Sequence, residues 1–285
     1  MMIRKKVVAT IVAVTLLTHP AFLYAAKQSK KKPIKSTAIT AKSFFVMRLN
    51  NNQIMLSRNS RLKLAPASTA KLMSALLVME NSNLTKPVVI SRKASNVQPS
   101  KVYMRQGERY QTGDLLKAVL ICSANDASVA IAEDIASSEK NFVRLMNKRA
   151  KEIGATNTHF VNATGLPVKG TRQYTTAHDL VLIMKEVLKH STLVRIMHKR
   201  SSIITSESGR VIMLKNHNKL LKEFDNAIIG KTGYTIEARH CFVGVQVVRN
   251  EKYLFAILKS RNPRQDIRKI YFVLKKMTKK HNTAT

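Results

Sequence analysis

"LAPASTAKLMSALLVME", Leu64–Glu80, decides how this chain is read. From Leu72 to Met79 only Ser74 interrupts an apolar run, and a helix apolar all round belongs in a core. Its first turn nevertheless carries Ser68 and Lys71, three residues apart and therefore neighbours on one face. Lysine is almost never fully buried without a partner. Burial disfavours the ammonium and draws its pKa down from about 10.4. A lysine lowered to about 7–8 serves as a general base at neutral pH. A serine beside such a base is an activated nucleophile. The plainer alternative is a helix start near Pro66 followed by a lysine that snorkels to solvent. The S-x-x-K spacing alone does not choose, because Ser29/Lys32, Ser60/Lys63 and Ser137/Lys140 share it.

Two further short motifs lie downstream. Ser123-Ala124-Asn125 interrupts "TGDLLKAVLICSANDASVAIAEDIA", in which Leu115, Leu116, Val119 and Leu120, then Val129, Ile131, Ala132 and Ile135, recur at helical spacing. Alone it reads as a helix break capped by Ser123, Asn125 or Asp126. Lys231-Thr232-Gly233 follows the strand-like "NAIIG" and occurs once. Alone it reads as a strand end with a glycine turn.

The frame around these motifs is mixed. "SFFVMRLNNNQIMLSRN" predicts two strands about the turn-prone Asn50-Asn51-Asn52. "SEKNFVRLMNKRAKEIGA" predicts an amphipathic helix ended by Gly154, and "TAHDLVLIMKEVLKH" another, capped by Thr175 or Thr176. Strands return in "SSIITSES", "RVIMLKN", "CFVGVQVVRN" and "KYLFAILKS", and a last helix follows Pro263. Both chain ends thus supply strands, with a helical insert between them.

The chain has 285 residues, enough to bury a real core, and carries 50 Lys and Arg against 16 Asp and Glu, a net charge of +34. That excess invites an anionic partner or surface, such as membrane lipid or cell wall. Nucleic acid is disfavoured: the basic residues spread along the whole chain and no nucleic-acid motif occurs. Cys122 and Cys241 are too few for a disulfide framework, and no zinc-spaced Cys/His cluster is present, so neither metal nor cofactor is implied. Arg4, Lys5 and Lys6 precede apolar Val7–Leu17, too short to span a bilayer. Residues 1–26 therefore read as a signal peptide or an N-terminal anchor, and 27–41 as a basic flexible lead-in.

S-x-x-K, S-x-N and K-T-G in this order form the motif set of penicillin-binding proteins and serine β-lactamases. The chain resembles a low-molecular-mass penicillin-binding protein of the D-alanyl-D-alanine carboxypeptidase family. "YMRQGERYQTGDLLKAVLICSANDASVAIAE", "NKRAKEIGATNTHFVNATGL", "YTTAHDL" and "IIGKTGYT" also resemble family blocks, over roughly residues 42–275. The resemblance implies an α/β fold of β-lactamase type, with a mostly antiparallel sheet flanked by helices. It assigns a catalytic domain to 42–277, a helical subdomain to about 91–200 and a basic tail to 278–285, with no C-terminal β-domain.

Carried over by motif position, the resemblance makes Ser68 the nucleophile, Lys71 its base and Ser123 the relay to the leaving amine. Asn125, Lys231, Thr232, Gly233 and Arg261 would bind substrate, with Gly233 leaving room for it along the strand. The backbone N–H groups of Ser68 and Tyr234 would form the oxyanion hole. The implied partners are peptidoglycan stem peptides ending in D-Ala-D-Ala, with β-lactams as covalent inhibitors, in a protein acting in the periplasm or on the outer face of the membrane. A β-lactamase is disfavoured, because "THFVN" offers no acid where the class A deacylating glutamate would lie. Two alternatives stay open: an endopeptidase of cross-links and a non-catalytic binder of an anionic polymer.

Overall fold

A computed structural model of the chain describes residues 39–224 and 228–279. The expected signal or anchor segment and most of the basic lead-in lie outside them. In chain order the elements are β1 (Ser43–Arg48), β2 (Ile54–Arg58), α1 (Lys71–Asn81), β3 (Pro87–Val89), α2 (Arg92–Asn96), β4 (Arg109–Gln111), α3 (Thr112–Ile121), α4 (Asn125–Ala136) and α5 (Glu139–Glu152). There follow α6 (Ala177–Val187), α7 (Ser191–His198), β5 (Ser201–Thr205), β6 (Val211–Lys215), α8 (Leu220–Glu223), β7 (Ile228–Thr235), β8 (Arg239–Val248), β9 (Glu251–Ser260) and α9 (Pro263–Lys279).

Five strands form an antiparallel sheet in the order β2-β1-β9-β8-β7. The first strand therefore lies against the last, from Ser43 opposite Leu258 to Arg48 opposite Tyr253. Side chains alternate between faces along a strand, and here both faces are covered. Phe45, Val243, Leu254 and Ala256 join the larger core with α1, α3, α4 and α6, while Phe44, Phe242, Tyr253 and Phe255 meet α9 on the other side. Coverage on both faces explains why β8 and β9 read as continuous apolar runs.

The expected lead-in ends earlier than residue 41, because Ile39 and Ala41 are already buried. Asp266, wholly buried near the start of α9, accepts hydrogen bonds from Thr40 N–H (2.7 Å), Thr40 Oγ1 (2.8 Å), Ala41 N–H (2.9 Å) and Ser260 Oγ (2.7 Å). One carboxylate thus ties the first described residues to β9 and α9. Thr176 caps α6, its hydroxyl accepting from Asp179 N–H at 3.0 Å, and Gly154 follows α5 at φ +82°. The helix expected to start near Pro66 is buried from Lys71 to Val78, but a separate turn precedes it.

Candidate active site

Ser68 stands in a single 3-10 turn, Ala67–Ala70, that runs directly into α1, whose first residue is Lys71. Three residues per turn bring side chains at i and i+3 into line, so this turn aligns hydroxyl and amine. Ala67 just before Ser68 takes φ +47°, a costly region for a residue with a Cβ. Two glycines hold the turn in place. A Cβ on Gly165, itself at φ +81°, would fall 1.9 Å from the Ala67 carbonyl oxygen. A Cβ on Gly233 would fall 3.0 Å from Ser68 N. Gly233 therefore packs its bare Cα against the nucleophile's backbone, a close approach beyond the substrate clearance expected of it.

Lys71 is wholly buried. Its Nζ lies 3.0 Å from Ser68 Oγ, 2.7 Å from Asn125 Oδ1 and 2.7 Å from the Thr164 carbonyl oxygen. The amide orientation of Asn125 is set by its Nδ2, which donates to the Gln98 carbonyl at 2.7 Å. Two of the three groups around Nζ only accept, whereas the serine hydroxyl also donates. A neutral amine has two N–H bonds and one lone pair. This shell satisfies all three when the lone pair faces Ser68. Burial, and after it the charge of Lys231, hold the Lys71 pKa well below the usual lysine value, with Asp126 opposing.

Ser123 links α3 to α4 at φ +61°, in the left-handed region. No side chain caps α4, whose N-cap is Ala124. The polar residues at the break serve other ends. Ser123 Oγ accepts from Lys231 Nζ at 2.9 Å, and Lys231 also donates to the Thr232 carbonyl at 2.9 Å. Lys231 is buried and makes no ion pair among the described residues, and burial lowers its pKa to about 7. Asp126, also buried, accepts from the N–H groups of Val102 (3.0 Å), Met104 (3.1 Å) and Ala127 (3.0 Å). Asn125 N–H donates to the Ser100 carbonyl at 2.7 Å. The segment from Gln98 to Met104 is thereby tied to the head of α4.

The loop Asn162–Leu166 presents the Thr164 carbonyl to Lys71. Asn162 Oδ1 accepts from Gly165 N–H (2.7 Å), Thr164 N–H (3.2 Å) and Thr164 Oγ1 (3.0 Å), while its Nδ2 donates to Leu166 O at 2.7 Å. Sequence reasoning singled out none of these residues. The available signal was Asn-Ala-Thr-Gly, a self-bonding turn built around an Asn side chain.

Ser68, Ser123, Asn125, Thr232, Gly233 and Tyr234 all line one cavity of about 500 Å³. It is bordered by Thr232, Gly233 and Tyr234 of β7, an edge strand of the sheet, which leaves backbone groups available for an extended peptide. A serine beside a buried lysine whose pKa is drawn down, backed by a second buried lysine and an edge strand, forms an apparatus for acyl transfer.

Comparison with known proteins agrees. Residues 26–262 match the D-alanyl-D-alanine carboxypeptidase family. The chain belongs to this family. It is 32% identical over 267 residues to the D-alanyl-D-alanine carboxypeptidase DacF of Bacillus subtilis, covering 92% of this chain and 68% of that protein. It is 27% identical over 238 residues to the D-alanyl-D-alanine endopeptidase of Escherichia coli, covering 82% and 76%. Among solved structures, a D-alanyl-D-alanine carboxypeptidase from Mycobacterium tuberculosis H37Rv superposes with TM-score 0.74 at 29% identity, covering 78% of this chain and 83% of that one.

In this member of the carboxypeptidase family the arginine bordering the cavity is Arg264, in the first turn of α9. Arg261, the residue expected from sequence, lies exposed in the turn after β9, with its backbone N–H on Thr40 Oγ1, and does not line the cavity. His217 also borders the cavity, open to solvent on one side. Burial of its other side, then the charges of Lys231, Lys71 and Lys219, lower its pKa. Cys122 and Cys241 are free and buried; burial pushes the Cys241 thiol up to about 12. Among the described residues no group of three or more His, Cys, Asp or Glu could hold a metal ion.

Proposed function

We propose that Ser68 carries the family's reaction, removal of the terminal D-alanine from peptidoglycan stem peptides, and that Lys71 is its base. Ser68 Oγ attacks the carbonyl of the penultimate D-alanine as its proton passes to Lys71 Nζ. The developing oxyanion is received by the N–H groups of Ser68 and Tyr234. The C–N bond then breaks, and a proton relayed through Ser123 reaches the leaving amine, releasing D-alanine and an ester on Ser68. Water attacks that ester with the same base, returning the serine hydroxyl and the shortened peptide. Asn125 holds the acyl side of the substrate, Lys231 supplies positive potential from its buried position beside Ser123, and Thr232 and Arg264 receive the terminal carboxylate. A β-lactam would follow the first half and stop at the ester.

One observation carries this reading: Lys71 Nζ has two acceptors and one serine hydroxyl at 2.7–3.0 Å inside a fully buried shell. The test is release of D-alanine from diacetyl-L-lysyl-D-alanyl-D-alanine by purified protein and by Ser68→Ala. Release that the substitution leaves intact would sink the assignment. Cleavage of cross-links needs the same steps with a larger leaving group; the likeness to an endopeptidase and the size of the cavity keep it as the second reading.

The same reading carries export to the periplasm or the outer face of the cytoplasmic membrane, resting on the basic and apolar segment Arg4–Leu17. Among the described residues no helix is long and apolar enough to cross a membrane. Peripheral attraction to anionic lipid or cell wall rests on the net charge of +34. Salt-sensitive binding to vesicles rich in phosphatidylglycerol would test it.

A further inference from the structure

We infer that the cavity includes a subsite, beyond Thr232 as seen from Ser68, for leaving groups larger than D-alanine: D-amino acids with an apolar side chain and a free carboxylate. This deepens the carboxypeptidase reading and rests on it, since that reading sets the leaving residue's carboxylate at Thr232.

The sheet register defines the lobe. Thr232 lies opposite Phe242 on β8, so the two side chains share a face of the sheet, while the preceding residue, Lys231, turns its Nζ to Ser123 on the other. Among the described residues the cavity continues on the Thr232 side along Leu220 of α8, Phe242, and Pro263 and Ile267 of α9. These are apolar groups belonging to the second core or flanking it. The volume of about 500 Å³ falls within the ~300–1,000 Å³ that encloses a drug-sized ligand. The methyl group of alanine uses little of it.

The rim of the lobe carries the charge that such a leaving group needs. Arg264 gives its Nε–H to Glu223, whose carboxylate Arg268 also holds. Glu223 is only 13% exposed and Arg264 63% exposed. The partly buried acid therefore anchors the guanidinium by its Nε edge and leaves the Nη groups to meet a carboxylate from solvent or substrate. A D-residue held there by its carboxylate shares the cavity with Leu220, Phe242 and Ile267, the apolar groups available to its side chain.

The experiment compares kcat/KM for diacetyl-L-lysyl-D-alanyl-D-X, with X alanine, leucine or phenylalanine, in the full chain. D-Leucine is expected to leave at least as fast as D-alanine, up to about tenfold faster, the lower end of what one fitted methylene brings in an apolar pocket. Filling the lobe by Ile267→Phe, or by Leu220→Phe should the first variant melt early, is expected to lower the leucine-to-alanine ratio about tenfold. D-Leucine leaving tenfold more slowly than D-alanine, or a ratio unmoved in a folded lobe-filling variant, would overturn the subsite and spare the carboxypeptidase reading. Release of no amino acid at all, D-alanine included, would overturn both.

Discussion

Replacing Gly165 by alanine tests whether the nucleophile's turn is held by contact from outside. The added Cβ would lie 1.9 Å from the Ala67 carbonyl oxygen and 3.2 Å from Ser68 N. To regain van der Waals separation that carbonyl must withdraw by roughly 1 Å, or the loop must retreat from Lys71. Overpacking of this kind costs about 1–3 kcal/mol, and an alanine held at φ +81° about 1–2 kcal/mol more. The sum of about 2–5 kcal/mol predicts a fall in Tm of roughly 5–15 °C for a domain of this size. The effect on chemistry is larger in kind, since a misplacement of about 1 Å near the reacting atoms costs on the order of 100-fold. Gly170→Ala supplies the control: Gly170 has a similar φ of +77° but nothing within 4 Å of its Cβ position, so it carries backbone strain alone. The assay is the second-order rate of acylation by a fluorescent penicillin, measured at a temperature where both variants are folded. An acylation rate for Gly165→Ala within threefold of that for Gly170→Ala would refute the reasoning.

Four other outcomes are expected. Acylation should rise with pH through a limb well below 10.5, because burial and Lys231 lower the Lys71 pKa; Lys231→Met removes the repelling charge and should move that limb upward in a stopped-flow pH series. Stability should follow the proton on Lys231: an unfolded lysine holds its proton to about 10.4, while native Lys231 releases it at about 7, so the unfolded state binds more protons and stability rises between pH 7 and 9. Urea unfolding at those two pH values should show a smaller rise in Lys231→Met. Asp126→Asn replaces a carboxylate that accepts three backbone N–H bonds, and a loss of about 1–3 kcal/mol is expected in denaturant melts. Asp266→Ala strands the donors of Thr40, Ala41 and Ser260, none of which lines the cavity; the expected result is a lower Tm with an unchanged acylation rate for the folded fraction.

The three motifs could be read in the sequence because each combines residue types that a plain helix or strand does not need. The core helix, the Thr176 cap and the long strands were legible from periodicity and turn chemistry. What escaped was local and short. β3 and β4 have three residues each, and α2 and α8 five and four, lengths at which hydrophobic period carries no signal. Ser123 appeared as a possible helix cap, whereas its left-handed backbone turns the hydroxyl toward Lys231. Arg261 and Arg264 lie three residues apart in "SRNPR". Only the end of β9 at Ser260 and the start of α9 at Pro263 decide which of them borders the cavity. The loop about Gly165 was invisible for a further reason: its partner is the Ala67 backbone, and a contact so distant along the chain leaves no periodic trace.

The clamp on the Ser68 turn has a consequence for handling the protein. Lys71 reaches partners 54 and 93 residues away along the chain, and the second glycine of the clamp comes from the edge strand formed near the other end. A partial assembly that lacks any one of these segments lacks part of the clamp. A nucleophile poised in this way exists only after the helical part has closed on the completed sheet. Covalent capture by a β-lactam would therefore count native molecules and pass over collapsed or half-assembled ones, turning a radiolabelled penicillin into a clock for the last step of folding.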